Sequence, residues 1–282
     1  MKTQPRQEKA KFWCDRDLGN LELIRATYIS HTFSRHTHEG YAIGVIEEGI
    51  EGFRYQGANH AAPASSIVIV HPGEVHTGHA VTQSGWTYRM FYPETNIFQL
   101  AASEIADCPQ PLPYFPEPVI YDPQLAAQLR NLHICLENRA SKLEKESSMM
   151  WVFARLINRY AQTPPPIKPI GSEVAAVKHT QEYLQVNYAN NISLKELANL
   201  VNLKPLRLLR VFRQTFGLPP HAYLTQLRVT QARKLLARGM LIAEVAVDTG
   251  FSDQSHLHRH FKRIVGVTPG QYVRGFKEII IA

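Results

Sequence analysis

Gly250-Phe-Ser-Asp-Gln-Ser-His-Leu-His-Arg-His-Phe-Lys262, followed by Gly266-Val-Thr-Pro-Gly-Gln-Tyr272, decides how the chain is read. Forty-nine positions earlier, Leu208, Arg210, Phe212, Gly217, Pro220 and Tyr223 match Leu257, Arg259, Phe261, Gly266, Pro269 and Tyr272. The match extends upstream, pairing Ile192–Phe212 with Leu241–Phe261. Ala198 recurs as Ala246, only 48 positions later, so the second copy holds one extra residue in its turn. Recurrence at a set spacing marks a duplicated supersecondary unit. In each copy a short helix, a tight turn and a second helix follow in order.

Side-chain spacing assigns faces to these helices. Leu197 and Ala198, and Val245 and Ala246, would meet the partner helix. Leu208 with Phe212, and Leu257 with Phe261, are i,i+4 pairs that bury one side of the second helix. The opposite side then carries Leu206, Arg207, Leu209, Arg210 and Arg213 in the first copy. In the second it carries Gln254, Ser255, His256, Arg259 and Lys262. Arginine bonds guanine edges in pairs, glutamine suits adenine, and apolar groups meet thymine methyls. Arg207, Arg213, Lys262 and Arg263 suit phosphates, which position a protein without specifying sequence. A joining helix over 219–237, ended by Gly239, would be roughly 28 Å long. Neighbouring major grooves lie about 34 Å apart, so one chain could place both second helices in DNA.

Charge agrees with this. The net charge of +7 is confined to one end of the chain. Residues 172–282 hold 15 Lys and Arg against 7 Asp and Glu, whereas residues 1–171 hold 16 against 17. A basic module beside a neutral one points to a nucleic-acid partner for the first. Cys14, Cys108 and Cys135 are odd in number and widely spaced, which excludes a disulfide framework or a cysteine zinc site. No apolar run reaches eighteen residues, and the start leads into no apolar signal region. The expectation is a cytoplasmic protein without a membrane span.

The remaining organisation is read from turns and periodicity. Residues 1–20 are polar and aperiodic, as in a flexible arm. From Leu21 to about Tyr92, short β-rich runs alternate with turn residues: Ile43–Gly49, Gly52–Gly57, Ser66–Val70 and Thr87–Tyr92. This is the signature of a sandwich or barrel, with the Pro-rich 109–123 as an irregular crossing. Leu125, Leu129, Leu132 and Leu136 then form one helical stripe. A second helix is expected over 147–161, with Met150, Phe153, Ala154, Ile157 and Tyr160 on one side. The stripe is wide enough for a dimer seam and could equally pack on the barrel. Thr163-Pro-Pro-Pro-Ile-Lys-Pro169 reads as a semi-rigid linker within 163–171. Ser193 followed by Glu196 is a capping-box start. The fold class expected is multidomain α+β. It comprises an arm (1–20), a β jelly-roll (21–122), a two-helix dimerisation segment (123–162), the linker and an all-α tandem helix-turn-helix domain (172–282).

The C-terminal residues resemble the DNA-binding domain of the AraC/XylS family of bacterial transcriptional regulators. The resemblance covers about 172–275. It is carried by Gly250–Lys262, Gly266–Tyr272 and Arg228, Ala232, Leu235 and Leu236 of the joining helix. It implies base contacts from Leu206, Leu209 and Arg210, and from Gln254, Ser255, His256 and Arg259. Two departures fall in the first copy: Asn202 replaces the turn glycine, and Lys204 replaces a serine cap. Arg35-His36-Thr-His38-Glu-Gly-Tyr41, Gly49 and His71-Pro-Gly73-Glu-Val-His76 look like the two motifs of a cupin, which this family carries as its effector domain. The usual glutamate ligand is missing, since Ala42 and Ile43 occupy its place.

His36, His38 and His76 are therefore either a metal set or structural histidines at strand ends, and no metal or cofactor is expected. Arg35, His36, His38, Tyr41, His76, Arg89 and Tyr92 are the candidate effector contacts, with Arg54, Trp86 and Tyr88 offering further lining or ordinary core. The expected protein is a ligand-responsive activator and not an enzyme. Its partners would be double-stranded DNA, a small organic effector, a second copy of the chain and RNA polymerase. The other readings are a metal-dependent cupin enzyme fused to a DNA-binding module, and an alkyl-accepting repair protein. The latter fails because no cysteine has activating neighbours.

Overall fold

The computed structural model describes residues 7–138, 140–167, 169, 171 and 173–281. Residues 1–6 of the expected arm, 139 of the expected dimerisation segment, 168 and 170 of the expected linker, and 172 and 282 lie outside the described residues. The chain divides into two compact units, Met1–Glu137 with Met149–Lys168, and Asn138–Ser148 with Pro169–Ala282.

The first unit is antiparallel β with helices on one face. Strands β1 (Lys9–Asp15), β2 (Leu21–Tyr28), β3 (Phe33–His36) and β4 (Ala42–Tyr55) are followed by β5 (Ala58–Pro63), β6 (Ser66–Val70), β7 (His76–Ala80), β8 (Trp86–Tyr92) and β9 (Val119–Tyr121). One sheet runs β1-β2-β8-β4-β6-β9. The other joins β3, β7, β4 and β5. Strand β4 belongs to both, and a register shift against β8 between Ile46 and Glu48 marks a bulge where it passes between them. Gly49 has φ 77 there, and a Cβ on it would lie 2.1 Å from the Gly85 carbonyl oxygen. Two runs read from sequence as separate strands are thus one strand bent at a glycine.

The bulge has a second effect. Ala42 and Ile46 face the interior before it, and Phe53 and Tyr55 after it. The inward parity changes from even to odd numbers, because side chains alternate with period two and one extra residue flips them. Glu51 thereby turns inward. On β8, Trp86, Tyr88 and Met90 join the same interior core. Arg89 and Phe91 must then point to the opposite face.

Helices cover that face. Helix α1 (Thr95–Ala106) is an addition to the expected elements, and its stripe Phe98, Ala101, Ala102 and Ile105 is buried. Helix α2 (Pro123–Glu137) buries Leu125, Leu129, Leu132 and Leu136 and contacts β4, β6 and β8. The stripe is consumed by the chain's own barrel, so it offers no seam to a second copy. Arg89 sits beneath this helix, 3% exposed. It donates to Glu47 (2.9 Å), Glu137 (2.9 Å) and His133 (3.0 Å). Helix α3 (Lys142–Tyr160) begins five residues before its expected start at 147.

Residues 9–15 correct the flexible-arm reading, since they pair with β2 along their whole length. Glu8 adds a tether. Its carboxylate accepts from the backbone N–H groups of Ile29 (2.7 Å), Ser30 (2.6 Å) and His31 (3.0 Å), and those bonds hold its pKa down to about 2. The strand is exposed on both faces over most of its length, so no alternation of polarity betrays it.

The second unit is helical: α4 (Val174–Val186), α5 (Leu194–Leu200), α6 (Pro205–Phe216), α7 (Pro220–Ala237), α8 (Ile242–Asp248), α9 (Gln254–Val265) and α10 (Pro269–Ile281). Ser193 and Glu196 form the expected reciprocal cap at α5. Arg228 of α7 is 3% exposed and donates to the carbonyls of Tyr188 (2.7 Å) and Asn190 (2.8 Å), which ties the joining helix to the chain after α4. The residues 138–148 group with this unit rather than with the barrel. There Glu146 accepts the Leu194 N–H (2.6 Å).

Candidate nucleic-acid interface and ligand chamber

The two helix-turn-helix copies close their turns alike. Leu203 N–H donates to the Ala198 carbonyl and Phe251 N–H to the Ala246 carbonyl, both at 2.9 Å. Each turn needs one left-handed residue, supplied by Asn202 (φ 52) and Gly250 (φ 79). Asparagine tolerates that region. Glycine is required in the second copy, where a Cβ would lie 2.6 Å from the Ala189 carbonyl oxygen. The extra residue of that copy falls just after the turn, before Asp253. The Asp253 side chain caps α9 by accepting from His256 N–H (2.7 Å), whereas Lys204 makes no side-chain cap at α6.

The buried sides are as expected: Leu208, Phe212, Leu257 and Phe261 are each 0% exposed. On the outer side of α9, Gln254, Ser255, Arg259, Lys262 and Arg263 are all exposed, joined by His258. His256 is a correction. It is 4% exposed, accepts from Ser252 (Oγ at 2.9 Å) and packs edge-on against Phe251 and His260. The stripe His256, Leu257, His260, Phe261 has the i, i+1, i+4, i+5 spacing of one inward face, which was present in the sequence.

The outer side of α6 departs further from expectation. Leu206 (4%) and Leu209 (1%) are buried, although their counterparts Ser255 and His258 are exposed. Burying a leucine rather than leaving it in water contributes roughly 2 kcal/mol, so these two side chains do not stay on a wet face. Arg207 is half-buried and paired with Glu173 through Nε (2.7 Å) and Nη2. Arg210 is half-buried, with its pKa lowered by burial and then by Arg207. Arg213 is exposed.

In the barrel, His36 and His76 are opposite one another on β3 and β7, with ring centroids 4.1 Å apart. His38 follows β3 and lies 5.0 and 5.1 Å from these two rings, with the Tyr92 ring 4.8 Å away. Burial, reinforced by the neighbouring imidazoles His76 and His36, pushes His38 down to about 4. These residues line an interior chamber of about 40 Å3 with Glu51, Tyr88 and Met90. Sequence reasoning missed Glu51, because its inward direction depends on the bulge. Burial raises its pKa to about 7.

A separate open cleft of about 410 Å3 is lined by Arg35, Arg54, Tyr55, Gln56, Glu74, His76 and Thr77. Two effector candidates lie elsewhere. Arg89 faces α2, as strand alternation demands. Tyr41 is 0% exposed, packs on Phe98 (4.7 Å) and donates its hydroxyl to the Pro113 carbonyl.

Comparison with known proteins accords with both halves. Residues 18–153 match the family model of the AraC-like ligand binding domain, and residues 197–275 match that of a helix-turn-helix domain. An uncharacterized HTH-type transcriptional regulator, YbfI of Bacillus subtilis, is 31% identical over 238 residues, covering 84% of this chain and 86% of that one. The chain belongs to the AraC family of transcriptional regulators. The transcriptional activator RhaS of Yersinia pseudotuberculosis, another relative, is 25% identical, with 87% and 91% of the two chains covered. ToxT from Vibrio cholerae is a solved structure with 13% identity and a TM-score of 0.38, covering 95% of this chain and 98% of that one.

As an AraC-family regulator, the chain is a DNA-binding protein with a ligand-binding N-terminal domain. Among the described residues no helix is long and apolar enough to cross a membrane. The inward histidines give its DNA-binding unit a pH dependence. Burial, followed by Arg259 and Arg228, lowers His256 to about 4. Burial, followed by His256 and Arg263, lowers His260 to about 3. Both are neutral in the fold but take up protons near pH 6.5 when unfolded. The unfolded chain therefore binds more protons between about pH 6.5 and 4, and stability falls as pH drops through that window. Urea midpoints of this unit should be lower at pH 5 than at pH 7. An unchanged midpoint would mean that both rings take up protons in the fold as readily as in the unfolded chain.

Proposed function

We propose that α9 reads base edges through Arg259, Gln254 and Ser255, while Arg213, Lys262 and Arg263 hold phosphates and Arg210 is the reader of the first copy. The observation that carries this is the outer row of α9, where every candidate except the inward His256 is exposed. The first copy contributes less base discrimination, because Leu206 and Leu209 are buried and Arg207 is paired with Glu173. His256 supports α9 from behind instead of reading bases.

The effector proposed is a small organic molecule in the open cleft. Arg35 and Arg54 suit a carboxylate there, Tyr55 and Gln56 suit hydroxyls, and the volume falls in the usual range for such ligands. We propose activation over repression, with contact to RNA polymerase and a cytoplasmic site of action. Membership of the AraC family and the similarity to RhaS, a transcriptional activator, support this. A pair of chains would act together, using a surface other than the α2 stripe. No catalytic step is proposed.

Selection of bound DNA from a random pool identifies the operator. On that operator, Arg259→Ala should weaken binding by about 1–3 kcal/mol and relax selectivity at one base position. Arg213→Ala should weaken binding evenly across sequences. Intact selectivity in the Arg259 variant would remove that residue from its assigned role.

A further inference from the structure

We propose that an open cleft on the outer face of the first unit's sheet binds a small hydroxylated phosphate monoester. The cleft measures about 350 Å3 and is separate from the barrel interior and from the cleft at Arg35 and Arg54. It is a second ligand site, independent of how DNA is read and of what fills the other cleft.

One cross-strand row forms its floor. Lys9 of β1 is opposite Thr27 of β2, Thr27 is opposite Thr87 of β8, and Thr87 is opposite Glu48 of β4. Residues directly opposite one another share a face of the sheet, and all four line the cleft. Arg25, two positions before Thr27 on β2, projects from the same face. Arg130 enters from α2.

Hydrogen-bond capacity sets the sign of the ligand. Among the described residues, Lys9 makes no hydrogen bond or ion pair. Arg25 makes no hydrogen bond there, and it reaches Glu47 and Glu137 only at 3.9 and 4.0 Å. Arg130 gives its Nε–H to Glu47 (2.6 Å), and its two terminal amino groups donate to nothing among the described residues. Guanidinium and ammonium groups only donate, so three cations turn spare donors toward one cleft. The nearby carboxylates are committed elsewhere. Glu47 Oε1 accepts from the buried Arg89 (2.9 Å), and Glu137 accepts from Arg89 (2.9 Å) and Lys11 (3.0 Å). Around the cleft, Lys9, Lys11, Arg25, Arg89 and Arg130 stand against Glu47, Glu48 and Glu137, which leaves two positive charges.

A phosphate monoester carries a charge of about −1.5 to −2 at pH 7 and offers three terminal oxygens. It matches both the excess charge and the number of spare cations, whereas a carboxylate leaves one charge uncompensated. The rest of the floor suits hydroxyl groups. Thr27 Oγ1 and Thr87 Oγ1 are 3.0 Å apart. One donates to the other, so the second hydroxyl proton remains for a ligand oxygen. The volume lies at the small end of the range for organic ligands and exceeds what a bare phosphate ion fills.

The test is calorimetric titration of the full chain at low salt with glucose 6-phosphate, ribose 5-phosphate and glycerol 3-phosphate. Inorganic phosphate and glucose are titrated beside them. At least one monoester should bind once per chain, at least about 10-fold more tightly than inorganic phosphate, and glucose should not bind. R25M and R130M should each weaken that monoester about 10- to 100-fold, as loss of a charged hydrogen-bond partner does. T27V should weaken the monoester and leave inorganic phosphate unchanged. R54M, in the other cleft, should leave monoester affinity unchanged. Thermal midpoints of the ligand-free variants check that they fold. Failure of all three monoesters to saturate overturns the proposal, as does inorganic phosphate binding as tightly as any of them. A loss in R54M without one in R25M or R130M places the ligand in the other cleft and also overturns it. Operator selection tests the DNA reading separately, so the two can fail independently.

Discussion

Replacing Phe261 with alanine is expected to destabilise the second helix-turn-helix copy by about 3–5 kcal/mol, the cost of truncating a fully buried phenylalanine. Phe261 is 0% exposed and shares a core with Val229, Ala232, Leu236, Val245, Ala246, Phe251 and Leu257. Its ring meets Tyr272 edge-on at 5.3 Å. That core draws on α7, α8 and α9, so the cavity loosens the joining helix as well as the reading helix. Urea denaturation should show the loss as a lower midpoint. Operator binding should fail at temperatures where the unsubstituted chain still binds. A loss under 1 kcal/mol would mean that α9 is not held by this core. Arg259→Ala provides the contrast, since its side chain is exposed and its removal should alter binding with little change in the midpoint.

Raising salt from 50 to 200 mM should cost about 40-fold in DNA affinity per chain. The estimate takes three phosphate contacts, from Arg213, Lys262 and Arg263, at a logarithmic slope of about −0.9 each. Two chains on paired half-sites would lose roughly two-thousandfold. Arg207 adds a diagnostic. If it exchanges Glu173 for a phosphate on binding, the slope per chain steepens from about −2.7 to about −3.6. The E173Q variant should then bind more tightly at low salt. Affinity that stays flat across this range would remove the electrostatic role assigned to the basic unit.

Local chemistry made much of the second unit readable. The i,i+4 pairs Leu208/Phe212 and Leu257/Phe261, the reciprocal cap at Ser193 and the left-handed positions Asn202 and Gly250 all follow from short-range rules. The outward cations of α9 follow from the same periodicity. The stripe that His256 shares with His260 is legible in the sequence, but histidine suits either face, and packing turns His256 inward. The family resemblance puts Leu206 and Leu209 among the base contacts, but their own apolarity buries them.

In the barrel, composition and turn spacing indicated β structure and gathered His36, His38 and His76 as a group. They did not reveal that β1 is a strand, because an edge exposed on both faces carries no alternation. The Leu125–Leu136 stripe showed that α2 buries one side without showing against what. A stripe has the same pattern whether it meets a barrel or another chain.

The residues alone therefore determined the duplicated reading unit, its buried pairs and the location of its positive charge, since each depends on neighbours within one or two helical turns. Tertiary structure alone decided which side chains share the barrel's interior. One bulge in β4 reverses inward and outward for every residue after it. It brings Glu51 to the histidines, and strand alternation on β8 sends Arg89 beneath α2. That reversal depends on pairing with β8, whose residues lie more than thirty positions away, and no local rule carries information over that distance.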